Sequence, residues 1–392
     1  MDRKSFIDLI DSEQDEHVKL LQAFVRAPST NPPGDTLDAA NVLRESLERQ
    51  GVPVGVIAPQ GASKPNLVED FACGEDDDGD SSGNGGGKKV VMNGHIDVFP
   101  VDESRGGEWK HGRGPWSGHN DGKLHLGKGR GGHEGRNGGE PEEDWEVVGF
   151  SGTMGTATGG KGDVMIDAEP GGLPSGRFGE KGTLRRRGRT GWLRGSSTRP
   201  VKIEEDVHPD LDRSIVDHMG PAGGEGPRLD EITGKGASED MLRPTVNVGV
   251  MRGGGIKVNM IPDRCAVEVD VRLPHRPDRG GRPADQARGV KVEYAVQEAA
   301  SNPSSHGAVD HEMIARLAGA GEEVTGRESL AVPGLGATDA KFWRSHGVPA
   351  FVYGVGPRTM AAAVDDRVGV DEFVSVVKVH AAAVWDYLGG AQ

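Results

Sequence analysis

The chain has little cysteine, no long apolar run and a deficit of positive charge, and each shortage removes a class of protein. Cys73 and Cys265 are too few for a disulfide framework, which fits a reducing compartment. The first residues, MDRKSFIDLIDSEQDE, are charged and hold no apolar stretch of the kind a signal peptide needs. No apolar run approaches the roughly 20 residues that span a bilayer. The expectation is a cytoplasmic protein without a membrane partner. Lys and Arg number 46 against 61 Asp and Glu, a formal net charge of -15. The phosphate backbone of a nucleic acid repels such a chain, so no nucleic-acid partner is expected. One cluster runs against the trend, Arg185-Arg186-Arg187 with Arg189, Arg194 and Arg199, and it reads as a solvated surface.

What is present suits two domains of unequal size, since 392 residues exceed one ordinary core. Glycine is abundant at 63 residues, and more than half of them fall between Gly74 and Gly195. Both ends read as ordinary globular sequence. Apolar residues at helical spacing (Leu9, Ile10, Val18, Leu21, Phe24) predict one helix across residues 6–24, broken by Pro28 and Asn31-Pro32-Pro33-Gly34. A second helix is predicted over 36–49, ended by Gly51, with strands at 51–57 and 66–71 and an acidic Gly/Ser-rich loop at 75–87. A short apolar strand at 89–93 runs into Gly94-His95-Ile96-Asp97. Regular patterns vanish between 106 and 162 and again over 185–200, whereas a strand returns at 163–168 and leads into Glu169-Pro170. Strands at 245–250 and 266–273 flank Gly253-Gly254-Gly255, and the last third alternates as a helix at 311–320, a strand at 350–353 and a helix at 371–388. There is no internal repeat, and the class is α/β.

A His and an Asp two apart at a strand end project to the same side. The His can bind a metal through one ring nitrogen while the carboxylate holds the other N–H and fixes the tautomer. Alone, His-x-Asp suits a structural pair equally well. Its surroundings sharpen it: Gly94 and Pro100 bracket it, and Trp109, Pro115-Trp116-Ser117-Gly118 and Asp121-Gly122-Lys123-Leu124 follow.

Eight blocks then resemble, in order, one metallopeptidase family, that of acetylornithine deacetylase, succinyl-diaminopimelate desuccinylase, aminoacylase and carboxypeptidase G. They are NPPGDT (31–36), NGHIDVFP (93–100), GDVMIDAEPGGL (162–173), RFGEKGTL (177–184), PTVNVGV (244–250), KVNMIPDRCAVEVDVRLP (257–274), GATDAKFW (336–343) and GVPAFVYGVGP (347–357). The resemblance implies a zinc-exopeptidase-like catalytic domain over 1–180 and 290–392, interrupted at 181–289 by a smaller α+β lid that dimerises the chain. It implies two zinc ions per chain (Co2+ or Mn2+ as substitutes) and hydrolysis of the amide bond in N-acyl amino acids or small peptides by metal-activated water. Position by position, His95 matches a metal ligand, Asp97 the catalytic carboxylate that orients it, and Glu169 a carboxylate ligand. Asn259 and Arg272 match substrate-binding residues of the lid, where an Arg suits a carboxylate through its bidentate fork.

The remaining family positions depart from the pattern. Glu134 stands where the family has the bridging Asp, and the longer carboxylate is the candidate third ligand. The family's adjacent Glu pair is missing; Glu142-Glu143 precedes the strand it should follow. The lid His is absent from RRRGRTGWLRGSSTRP, and alanine fills the place of the last His ligand in Met360-Ala361-Ala362-Ala363-Val364-Asp365-Asp366. Residues 126–160 and 185–200 read as family sequence in another frame or across a misplaced splice, a hypothesis that sequencing the transcript tests. A second reading follows, a catalytically silent homologue that keeps the fold and at most binds ligand. Two decoys are set aside. Gly155-x-x-x-x-Gly160-Lys161 is followed by Gly162 rather than the Ser/Thr of a phosphate loop, and His111, His119, His125 and His133 share no face and read as exposed loop.

Overall fold

The computed structural model describes residues 2–31, 33–69, 71, 88–100, 108–109, 114–122, 124–126, 162–191, 245–253, 264–273, 291–296, 302–334, 336–356 and 366–389. The elements run α1 (Arg3–Ser12), α2 (Gln14–Arg26), α3 (Leu37–Arg49), β1 (Gly55–Ile57), β2 (Asn66–Val68), β3 (Val90–Asn93), β4 (His119–Asn120), β5 (Leu124–Leu126), β6 (Val164–Asp167), β7 (Ser175–Glu180) and β8 (Gly182–Gly191). They continue as β9 (Thr245–Gly253), β10 (Arg264–Leu273), β11 (Lys291–Val296), β12 (Ser305–His306), α4 (Glu312–Thr325), β13 (Leu330–Gly334), α5 (Ala340–Ser345), β14 (Ala350–Val352), β15 (Arg367–Gly369) and α6 (Val370–Leu388). The chain divides into two compact units, Met1–Glu180 with His306–Gln392, and Lys181–Ser305.

The first unit is built on a six-stranded sheet of order β12-β7-β14-β6-β3, with β13 beside β7. Strands β3, β6 and β14 are parallel. Parallel strands are covered on both faces and so read as unbroken apolar runs, as Val164-Met165-Ile166 does, all fully buried. Alternation sends the run to opposite sides. Val164, Ile166, Phe178, Phe351 and Tyr353 pack with Met313, Ile314 and Leu317 of α4 and Val376, Val379 and Ala383 of α6. Met165, Ala350 and Val352 face Ala340 and Trp343 of α5. Gly176 permits the close approach of α4, since a Cβ there would stand 2.7 Å from Ile314 Cδ1.

The helices end where local chemistry requires. His311 caps α4 by accepting from Met313 N, and Gly326 and Gly389 close α4 and α6 in the left-handed region, with φ of 67° and 75°. The single N-terminal helix expected over 6–24 is two, because the chain turns at Glu13 between α1 and α2. Arg3 ties α1 to the core, donating to Glu323 and Asp386.

The second unit holds a four-stranded antiparallel sheet of order β11-β8-β10-β9. One sequence expectation is corrected here. Residues 185–191, expected to lack regular structure, continue β8, and their register sets Arg185 opposite Asp270, Arg187 opposite Glu268 and Arg189 opposite Glu293. Lys291–Val296 also pairs with β8, and this compact unit runs on to Ser305. A second correction falls in the first unit: His119 and His125 lie on the paired strands β4 and β5, not in a loop.

Candidate active site

The carboxyl ends of β3 and β6 bring the site together. Their register aligns Asn93 with Asp167, and Ala168 N donates to Asn93 O, so the next aligned row carries His95 and Glu169. His95 Nδ1 lies 2.7 Å from Asp97 O and 3.1 Å from Asp97 Oδ1, while Nε2 faces Glu169 Oε1 at 3.3 Å. The imidazole is thus held on one edge and presented on the other. Burial opposes its charge, but the hydrogen bonds to Asp97 and Glu169 prevail and hold its pKa well above the usual histidine range.

A segment before α3 clamps this loop. Ser29 Oγ donates to Ile96 O, Val98 N to Ser29 O, Asn31 N to Val98 O, and Asn31 Nδ2 to Asp97 Oδ2 at 2.9 Å. Asn31 therefore fixes the carboxylate that fixes the histidine. Behind this layer lie two more carboxylates. Asp167 is fully buried and accepts from Ala340 N at 3.2 Å, and Asn93 Nδ2 stands 3.5 Å from both Asp167 Oδ1 and Asp339 Oδ2. Burial, then the charges of Glu169 and Asp339, push the Asp167 carboxyl well above the carboxylate range, and burial raises that of Asp339. The loop carrying Asp339 is pinned from below, because Thr338 donates to Glu180 Oε2 through both N and Oγ1 at 2.8 Å.

Of the residues expected from the sequence, His95, Asp97 and Glu169 come together. Arg272 lies in the second unit on β10, buried, with Nε donating to Asp270 Oδ2 at 2.8 Å. Glu134, Asn259, Glu142-Glu143, residues 155–161, His111, His133 and residues 360–365 lie outside the described residues. Asn31, Asn93, Asp167, Glu180 and Asp339 were not expected. Asp167 carried a signal: an acid inside a run buried on both faces has no solvent to reach.

The donor chemistry suits a divalent ion, with a carboxylate-held imidazole and a carboxylate converging as in zinc sites. Among the described residues no group of three His, Cys, Asp or Glu side chains is placed to hold one.

An α/β fold with such a pair at the carboxyl ends of parallel strands defines a metallohydrolase class. Within that class, the chain belongs to peptidase family M20/M25/M40, whose profile matches residues 146–386. Three solved structures share the fold. An M20 family metallo-carboxypeptidase from Sulfolobus solfataricus is 16% identical over 96% of this chain and 99% of its own, with a TM-score of 0.61. The di-peptidase Dug1p from Saccharomyces cerevisiae is 13% identical over 100% and 99%, with a TM-score of 0.64. The YXEP protein of Bacillus subtilis, described as a dinuclear metal-binding peptidase, is 10% identical over 99% and 99%, with a TM-score of 0.51. No curated protein matches the sequence. Among the described residues, no helix is long and apolar enough to cross a membrane.

Proposed function

We propose that this chain is a cytoplasmic, zinc-dependent hydrolase that cleaves the amide bond of N-acyl amino acids or small peptides. The observation that carries the reading is the His95 imidazole, gripped by Asp97 on one edge and turned toward Glu169 on the other. His95 and Glu169 would hold the metal, with Glu134 as the third ligand, and the bound ion would supply an activated water. Asp97 acts as a positioning residue, fixing the tautomer that leaves Nε2 for the metal, and Asn31 holds Asp97 in turn. Both side chains are largely buried, so charge on the scissile group would be felt strongly. Asn259 and Arg272 of the second unit would bind substrate, and that unit would form the contact of a homodimer. Family membership and the dinuclear site named for the Bacillus subtilis protein support a metal here, two ions being the expected complement.

The test is metal content and amidase activity of the purified chain. Near-stoichiometric zinc, with hydrolysis that disappears in His95→Ala, is the expected result. A second reading, the silent homologue, rests on the missing Glu pair and on the alanine that fills the place of the last His ligand. A pure chain without tight zinc or hydrolysis would decide for it.

A further inference from the structure

The same row that aligns Asn93 and Asp167 extends across the sheet. Asp167 pairs with Val352, and Val352 pairs with Arg177 of β7. Directly paired residues point to one face, so Arg177 shares the face of Asp167, and of His95 and Glu169 one row further on. Its guanidinium lies against two residues without side chains. Arg177 Nε is 3.6 Å from where a Cβ on Gly171 would stand, and Nη1 is 3.7 Å from a Cβ on Gly334. Gly354 packs directly on the backbone of Glu169, for a Cβ there would stand 2.3 Å from Glu169 O.

The charge balance is unusual. Arg177 is half-buried, and burial lowers its pKa against the attraction of Glu169 and Glu180. Yet its guanidinium makes no hydrogen bond or ion pair with any of the described residues. Glu180 spends its Oε2 on Thr338, and its Oε1 faces Arg344 Nη1 at 3.8 Å. Five N–H donors in a fixed fork are thus kept within electrostatic reach of Glu169 with no acceptor among the described residues, packed against glycines where a larger side chain would crowd them. Such a fork suits a planar anion arriving from outside.

We propose that Arg177 is a specificity-determining residue that binds a carboxylate of the substrate through its bidentate fork. This rests on the amide-hydrolase reading above and adds to it a recognition group within the first unit. It makes an amide bearing a free carboxylate the preferred ligand over the same amide without one.

The test is calorimetric binding of three probes to the full-length chain in EDTA: N-acetyl-leucine, N-acetyl-leucinamide and N-succinyl-leucinamide. The wild type should bind at least one acid about 10–100-fold more tightly than N-acetyl-leucinamide, and Arg177→Gln should erase that preference. Which acid is preferred tells whether the carboxylate sits on the amine or the acyl side. Arg177→Lys keeps the charge and loses the fork; it should retain only part of the preference and serves if the Gln variant fails to fold. Equal binding of all three probes by the wild type, or an equal loss for all three in the variants, would overturn the proposal. Hydrolysis is scored separately with the zinc-loaded chain. Its absence beside an intact carboxylate preference would overturn the proposed function while supporting this role for Arg177.

Discussion

Ile166 and Asp167 are neighbours in one strand, both fully buried, yet they belong to different chemistries. Ile166 faces the apolar helices α4 and α6, whereas Asp167 faces a layer with Glu169, Asp339 and Glu180 within its electrostatic reach. The period of two in a strand makes this division possible without any change of backbone. It also assigns the work. One face gains free energy by burying Ile, Phe and Leu side chains, each contributing roughly 1.5–3 kcal/mol. The other gathers buried carboxylates that repel one another. The apolar face is what allows the charged face to exist in a folded chain.

If that division holds, substitutions on the two faces should separate stability from binding. Ile166→Ala, at a fully buried position, should lower the unfolding free energy by about 2–5 kcal/mol in urea titration, while the folded fraction binds zinc as the wild type does. Zinc affinity lost in step with stability would break the comparison.

The apolar face contains one titratable group that sharpens it. His380 on α6 is half-buried, its Nε2 donating to Tyr353 O at 2.7 Å, and desolvation pushes its pKa down to about 4 against a usual value of 6.5. The folded state therefore resists the proton that the unfolded state accepts. Stability is unaffected above about pH 6.5 and falls as the pH drops toward 4, by about 3 kcal/mol in full and about 2 kcal/mol by pH 5. His380→Gln keeps a donor for the carbonyl and should remove that component of the acid sensitivity. Identical pH dependence of unfolding in wild type and variant would sink the argument.

On the charged face the expected effect is on the ligand instead. Asp97→Asn should weaken zinc binding about 10–100-fold by chelator competition, because the imidazole loses the carboxylate that sets its tautomer. Stability should move little, since Asp97 is partly exposed and its loop stays clamped through Ser29 and Asn31 backbone bonds. Asn31→Ala should follow in the same direction with a smaller loss.

The sequence showed the parts of this architecture that are local. The β6 run, the His95-Asp97 pair and Glu169-Pro170 are each written in a few consecutive residues, and the structure places them at adjacent strand ends. The remainder depends on register and loop closure. Asn31, Asp167, Asp339 and Arg177 come from four separate segments, and each taken alone suits a turn, a strand end, a helix start or a surface charge. The break at Glu13 was hidden because apolar spacing continues across it, with Ile10 and Val18 both buried. The strand through residues 185–191 was hidden for the opposite reason. Its alternation is basic rather than apolar, and it makes sense only opposite Glu268, Asp270 and Glu293.

The smallest effect should come from the periphery, where charge is neither buried nor clustered. Arg3 has ideal geometry, with Nη1 and Nη2 to Glu323 at 2.8 and 2.7 Å and Nε to Asp386 at 2.9 Å. It joins α1 to both α4 and α6 across 320 and 383 residues of sequence. Yet Glu323 keeps 57% of its side chain exposed, so water and salt screen this attraction far more than they screen the repulsion around buried Asp167. Arg3→Ala should therefore cost less than ~1 kcal/mol of unfolding free energy, and the difference from wild type should shrink in about 1 M NaCl. A salt-insensitive loss several times larger would mean that the N-terminal helix holds the apolar face together through packing at Phe6 and Trp385, whose rings stack at 5.3 Å, rather than through charge. The boundary between the stabilising face and the periphery would then lie further out than the sheet suggests.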